Sequence, residues 1–167
     1  MQGEVVGVNT QILAGDGTRT NAGVGFAVPA NIIRKVVPAL ITDGAYTWPW
    51  LGVRGGTVST TIARANDLGE ITGAYIAEVM PNGPAAKAGL RGADREVEVD
   101  GLAVPVGGDV VKAVDGQAIV SFDDLLEYVA IRSEVGQTLK LSIIIDGRER
   151  TVAITLAARP APEEVST

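Results

Sequence analysis

The sequence predicts a mainly β fold with short helices, of the α+β class. Three features of its 167 residues support this: short runs in which apolar and polar residues alternate, 21 glycines, and a hydrophobic content of 46% with only 4% aromatic residues. Alternation with period two is typical of strands with one buried face, and glycine-containing dipeptides favour the turns that join them. This length allows either one domain of ordinary size or one domain plus a fragment.

Composition argues against several kinds of site. The 14 Lys and Arg against 20 Asp and Glu give a net charge of −6, so the concentrated cationic face that nucleic acid requires is not expected. The sequence has no His and no Cys, which argues against serine–histidine catalysis, disulfides, and imidazole or thiolate metal ligation. No nucleotide motif is present, and no segment approaches the roughly 20 apolar residues of a membrane span. We expect no catalytic residue, metal or cofactor in this chain.

The first part of the chain contains two strand-like runs and a helix. Residues 4–13 and 24–28 should pair as a hairpin with a long loop. A helix is predicted from residue 32 to 41, with Asn31 as its N-cap, and Pro38 is expected to kink or shorten it. These elements are too few to close a core alone, so we interpret them as the end of a larger domain.

The stretch from Trp48 to Val53 (Trp-Pro-Trp-Leu-Gly-Val) separates this part from the rest of the chain. Gly52 permits a positive φ or a close backbone approach, so successive amides can converge into a nest for a carboxylate. A strand predicted after Val53 would offer an open edge beside that nest to an extended peptide. The alternative is an ordinary strand start with a glycine bulge.

The next segment predicts short elements separated by turns. Thr57 to Thr61 is β-prone, Ile62 to Leu68 predicts a short helix or a loop, and residues 73–79 alternate as a strand. A one-turn helix is predicted from Ala85 to Ala88, with Gly89 as the residue that ends it.

An alternating segment then predicts an additional hairpin. Glu96 and Glu98 alternate with valines on the way to Asp100-Gly101, a dipeptide that favours a tight turn. We expect a two-stranded hairpin at about residues 94–107. It is either a plain hairpin with common turn chemistry or an accessory contact surface.

The main helix is predicted from Phe122 to about Ser133. Ser121 as N-cap and Asp124 three residues on form a variant of the capping box. The apolar residues fall on two stripes, one with Leu125, Tyr128 and Ile131 or Arg132, the other with Phe122, Leu126 and Val129. A core needs one stripe, so the second predicts a groove between this helix and a strand. The alternative is a single wide buried face.

The end of the chain predicts one more hairpin and a tail. Residues 139–145 and 150–156 should pair around Asp146-Gly147, which favours a type I′ turn. An acidic tail is expected at 159–167.

Three motifs resemble serine proteases of the HtrA/Deg family. Residues 3–10 (GEVVGVNT) and 23–29 (GVGFAVP) are similar to the last strands of the trypsin-like domain of that family, and residues 79–90 (VMPNGPAAKAGL) to its PDZ domain. The resemblance implies a C-terminal protease-domain fragment at 1–44, a PDZ domain at 45–158 with the hairpin inserted at about 94–107, and the tail. It also implies a PDZ-type, partly open β-barrel capped by helices, preceded by a terminal strand pair and helix of a trypsin-like β-barrel.

The resemblance implies a peptide-binding function for the chain. Such a module captures the hydrophobic C-termini of unfolded proteins, in extracytoplasmic protein quality control, and recruits them to, or regulates, its own protease domain. The expected peptide-binding residues are Trp50, Leu51, Gly52, Val53, Phe122, Leu126 and Val129. Gly25, Phe26 and Ala27 would be a remnant of the substrate pocket.

Two alternatives stay open. The chain is part of a serine endopeptidase that is active only in the full-length protein, since the family's catalytic residues are expected upstream of this segment. Otherwise it is a self-association element in which orphan strand edges of residues 5–12 and 24–28 pair across a homo-oligomer.

Overall fold

The computed structural model describes residues 3–14, 21–145 and 147–160. The chain divides into two compact units, which we call the N-terminal unit (Met1–Tyr46) and the C-terminal unit (Thr47–Thr167). Over the described ranges there are twelve strands and four helices, which confirms the predicted mainly β fold. The sheets are open and do not close into a complete barrel.

The N-terminal unit contains the predicted hairpin and helix. Strand β1 (Gly7–Ala14) pairs antiparallel with β2 (Asn21–Pro29), and helix α1 (Ala30–Asp43) follows directly. Most of the loop expected between the two strands falls on residues 15–20, outside the described residues.

Helix α1 differs from its prediction at both ends. Its N-cap is Pro29, not Asn31, because β2 continues directly into the helix and the Ala30 N–H donates to the Val6 carbonyl at 3.0 Å. Asn31 lies inside the first turn, where its side chain accepts only from the next amide. Pro38 does not shorten the helix, which continues to Asp43.

Five strands of the C-terminal unit form its main sheet. In spatial order they are β11 (Arg148–Thr155), β10 (Thr138–Ile145), β8 (Val110–Val114), β5 (Ala74–Val79) and β4 (Val53–Thr57), all antiparallel to their neighbours. Strand β9 (Gln117–Ala118) also pairs with β8. Strand β4 is therefore an edge strand of the sheet.

A separate two-stranded sheet joins the two ends of this unit. Strand β3 (Pro49–Trp50) pairs antiparallel with β12 (Ala157–Ala158), with Ala157 opposite Trp50. The Arg159 N–H extends the pairing by donating to the Trp48 carbonyl at 2.9 Å. The segment before β4 is thus tied to the segment after β11.

The C-terminal unit has three helices in its described part, α2 (Thr60–Ala65), α3 (Pro84–Lys87) and α4 (Phe122–Arg132). The prediction that Thr57 to Thr61 is β-prone is wrong after Thr57. Ser59 accepts the Ile62 N–H through its side chain at 3.2 Å and begins α2. A capping hydrogen bond here overrides the β propensity of the threonines.

The core lies between α4 and the main sheet. Leu125 and Val129 of α4 are buried in the same cluster as Leu139, Leu141 and Ile143 of β10, a strand that alternates buried and exposed residues along its first half. The other buried members of this core include Leu51, Ile76, Val111, Ile119 and Ile154. Among the described residues whose side-chain burial is given, those that are buried belong to the C-terminal unit.

The hairpin predicted near residues 94–107 forms from β6 (Arg95–Val99) and β7 (Leu102–Val106). Its turn, Asp100-Gly101, has positive φ at both residues (53° and 80°), as a type I′ turn requires. The Asp94 N–H donates to the Val106 carbonyl at 3.0 Å and closes the base.

Two further predictions fall partly outside the described residues. The predicted turn at Asp146-Gly147 includes residue 146, and the predicted tail includes residues 161–167, none of which is described. In the described part of the chain, no helix is both long and apolar enough to cross a membrane.

Deletion of residues 1–46 is expected to leave a cooperative thermal unfolding transition, because the buried core lies in the C-terminal unit. The measurement is calorimetry on the full chain and the deletion variant. As a control, Leu125→Ala inside the core should destabilise both proteins by about 2–5 kcal/mol. Loss of a sharp transition in the deletion variant would show that the N-terminal unit is integral to the fold.

The start of α4 forms the predicted capping box. The Ser121 side chain accepts the Asp124 N–H at 3.0 Å, and the Asp124 carboxylate accepts the Val120 and Ser121 N–H groups, each at 3.0 Å. These hydrogen bonds, the Val120 amide first, hold the pKa of Asp124 below its ordinary value. The ionised form is therefore favoured in the folded state.

The Asp124→Asn variant is expected to be less stable than the wild type at pH 7. Because the folded pKa is the lower one, the difference should be full above about pH 4 and shrink as pH falls through the folded pKa. Urea unfolding between pH 7 and pH 2 measures it. Asp123→Asn is the matched control, since Asp123 lies in the same turn and its side chain accepts no hydrogen bond within the described ranges. A stability difference for Asp124→Asn that is independent of pH would contradict the assignment.

Candidate functional site

A groove runs between the edge strand β4 and helix α4. At one end the Phe122 N–H donates to the Thr57 side-chain oxygen at 3.0 Å, which fixes the start of the helix beside the end of the strand. A Cβ on Gly55 would lie 3.0 Å from Cε2 of Phe122 and 1.9 Å from the Tyr75 carbonyl oxygen. A glycine is therefore required where this ring crosses β4.

The other end of the groove opens into a cavity of about 290 Å³. Its lining combines the segment around β3, the start of β4, one face of α4 and the residue after β12. The lining residues are Trp48, Pro49, Trp50, Leu51, Gly52, Val53, Leu126, Val129, Ala130 and Arg159.

The loop at the head of β4 is held by its own carbonyl groups. The Leu51 carbonyl accepts the Ala85 N–H at 2.9 Å, and the Gly52 carbonyl accepts the Met80 N–H at 2.8 Å. In a trans peptide the following N–H points away from the preceding carbonyl. The N–H groups of Gly52 and Val53 therefore point away from Ala85 and Met80.

Gly52 has a positive φ of 78°, one of the two uses of glycine expected from the sequence. A Cβ there would also lie 3.2 Å from the Trp50 ring. The position thus requires glycine for its backbone conformation and for the close approach of the ring. The neighbouring Leu51 is buried in the core, which anchors the loop.

Six of the seven expected peptide-binding residues line this cavity. Phe122 is the exception and lies farther along the groove, over Gly55. On α4 the two expected stripes are not cleanly separated: Leu126 is 47% exposed, whereas Val129 is 5% exposed and belongs to the core as well as to the cavity wall. The remaining expected site residues, Gly25, Phe26 and Ala27, lie on β2 in the N-terminal unit.

The sequence reasoning missed four of the lining residues. Trp48 and Pro49 directly precede the expected stretch Trp50 to Val53, and Ala130 follows Val129 on the helix. Arg159 reaches the cavity through the pairing of β12 with β3. Only the pairing of distant segments reveals it, because no local pattern marks residue 159.

The side chains whose pKa values are shifted, Tyr75, Tyr128 and Asp124, do not line this cavity. Burial raises the pKa of Tyr75, whose hydroxyl accepts the Gly108 N–H at 3.1 Å. Burial likewise raises the pKa of Tyr128, with the nearby Asp115 carboxylate adding to the effect.

A second depression, of about 670 Å³, lies along α2 and has several exposed polar residues in its lining. Among the described residues, no group of three or more His, Cys, Asp or Glu could hold a metal ion.

Curated relatives match almost the whole chain. A "Probable periplasmic serine endoprotease DegP-like" of Marinomonas sp. (strain MWYL1) is 33% identical over 99% of this chain and 31% of its own length. "Periplasmic pH-dependent serine endoprotease DegQ" of Escherichia coli (strain K12) is 33% identical over 93% of this chain and 30% of its own length. The chain thus spans about a third of these relatives, and the resemblance to HtrA/Deg proteases is confirmed.

Solved structures agree with these relatives. The structure "HtrA-type protease AlgW with decapeptide" has a TM-score of 0.73 and 28% identity, over 96% of this chain and 44% of that one. The sequence profile of the PDZ domain matches residues 49–156, from the start of β3 to the residue after β11. With more than half of its residues in this match, the chain belongs to the PDZ domain family, and its relatives are HtrA/Deg-type serine endoproteases.

Proposed function

We propose that the chain captures the C-terminal end of a hydrophobic polypeptide in the groove between β4 and α4. The observation that carries the proposal is the placement of an edge strand opposite a helix, with the Leu51–Val53 loop at its head. An extended peptide would add to β4 as a further strand. Its last side chain would enter the cavity, and its carboxylate would accept from the loop amides.

The lining supports an apolar terminal residue. Leu126 and Val129 from the helix, with Leu51 and Val53 from the strand side, give the cavity an aliphatic wall. Trp50 adds an aromatic surface beside Gly52. Phe122, over Gly55, would contact a side chain farther from the peptide terminus. Burial of an aliphatic side chain in such a wall is favourable by roughly 1.5–3 kcal/mol.

The comparisons support the same function. The AlgW structure is described as carrying a decapeptide, and the curated relatives are described as periplasmic serine endoproteases. We propose that this chain acts within such an endoprotease, outside the cytoplasm, and that peptide capture recruits unfolded substrates or regulates the protease. In this proposal residues 1–44 end a trypsin-like domain, and Gly25, Phe26 and Ala27 form part of its substrate pocket.

A peptide with a free carboxylate after an apolar last residue is expected to bind more tightly than the same peptide with a C-terminal amide. Hydrogen bonds to a charged acceptor are stronger than those to a neutral one. Their loss should cost about 1.5–3 kcal/mol, or more than tenfold in affinity. Isothermal titration calorimetry on the two peptides tests this. Equal affinities would show that the loop does not bind a carboxylate.

The variant Leu126→Glu is expected to weaken binding of the acid peptide by about tenfold or more, because it places a negative charge in the apolar wall. The free energy of unfolding should change by no more than about 0.5 kcal/mol, since Leu126 is 47% exposed. The matched control is Leu102→Glu, at a 64% exposed leucine on the β6–β7 hairpin. If the two variants bound the acid peptide with equal affinity, α4 would not be part of the proposed site.

Self-association is the second candidate, favoured by exposed apolar residues of the N-terminal unit. Val6 is 85% exposed and Ile41 is 78% exposed, and such surfaces are typical of contacts with another chain or domain. Light scattering on the full chain and on the 1–46 deletion would reveal self-association as a mass above that of one chain.

A further inference from the structure

Arg159 is held at the mouth of the cavity by backbone pairing. Its N–H donates to the Trp48 carbonyl at 2.9 Å, one residue beyond the pairing of Ala158 with Pro49. Residue 159 is among the lining residues of the cavity that contains the Leu51–Val53 loop, and it is exposed. The position of residue 159 is therefore fixed by main-chain bonds that any residue other than proline could make.

The arginine is also the only lining residue of this cavity with an ionisable side chain. Within the described ranges it makes no ion pair, whereas four other arginines do. The other side chains that line the cavity carry no charge, and the N–H groups of Gly52 and Val53 point away from Ala85 and Met80, so they are not used in those two hydrogen bonds. This combination suits an anionic group attached to an apolar body.

We propose that Arg159 is a specificity-determining contact that pairs with the terminal carboxylate of the bound peptide. The inference rests on the proposed function, which assigns the cavity to a peptide C-terminus. It goes further by assigning part of the recognition to a residue beyond the last long strand, outside the region 49–156 that matches the PDZ profile. In this proposal the guanidinium of Arg159 contributes a positive charge, and the Leu51–Val53 loop contributes backbone N–H donors.

The test compares acid and amide forms of one peptide with an apolar last residue, on the full-length chain. The acid-over-amide affinity ratio should fall about two- to fivefold in Arg159→Gln, the range expected for an exposed ion pair. Affinity for the amide peptide should not change. Arg159→Lys should retain most of the ratio, because the charge remains. Higher ionic strength should weaken acid-peptide binding more in the wild type than in Arg159→Gln.

Arg150→Gln is the matched control, because it removes the same charge from β11, at the opposite edge of the main sheet from β4. It should leave the ratio unchanged. A wild-type ratio that persists in Arg159→Gln would overturn the role of Arg159 and leave the proposed function standing. A fall of the same size in Arg150→Gln would also overturn it, since long-range charge would then explain the effect. Equal binding of both peptides to the wild type would overturn the proposed function itself.

Discussion

Two backbone hydrogen bonds, from Ala85 to the Leu51 carbonyl and from Met80 to the Gly52 carbonyl, determine the geometry of the groove. They attach the loop at the head of β4 to Met80, directly after β5, and to Ala85 in α3. Because both carbonyls are used there, the following amides are turned the other way. The side chain of Leu51 is buried at the same point, so the core and the groove share one anchor. A change that moved this loop would displace the amides, the start of β4 and the Trp50 ring together.

The parts of the fold that the sequence predicts well are those with local causes. The capping box of α4 joins Ser121 and Asp124, three residues apart, and the Asp100-Gly101 turn needs only its own two backbone conformations. At Gly52 a positive φ and a close approach are both expected uses of glycine, and both occur. Six of the seven expected peptide-binding residues reach the cavity for local reasons too: Trp50 to Val53 are consecutive at the head of β4, and Leu126 and Val129 lie three residues apart on α4.

The rest depends on contacts between distant parts of the chain. Arg159 reaches the cavity only because β12 pairs with β3, and neither two-residue strand has a recognisable pattern. Helix periodicity places Val129 on a stripe, but the division of its surface between core and cavity depends on how α4 lies over the sheet. The start of α1 was misplaced because a strand runs directly into the helix, so the usual cap signal at Asn31 is not used. At α2 the opposite occurs: Ser59 caps a helix within a stretch whose threonines favour a strand.

The charge of the protein gives the cavity a particular electrostatic setting. A net charge of −6 opposes the approach of an anionic peptide at long range. At physiological salt that repulsion is screened beyond roughly 8–10 Å, so recognition depends on groups within the cavity. Its ionisable lining residue is a cation, and no acidic side chain lines it. In the proposed binding mode, a peptide terminus that enters the cavity would leave an unfavourable field and meet the loop amides and one positive charge. That reversal of sign over a short distance would favour a carboxylate at the end of an apolar segment and disfavour acidic side chains elsewhere along the peptide.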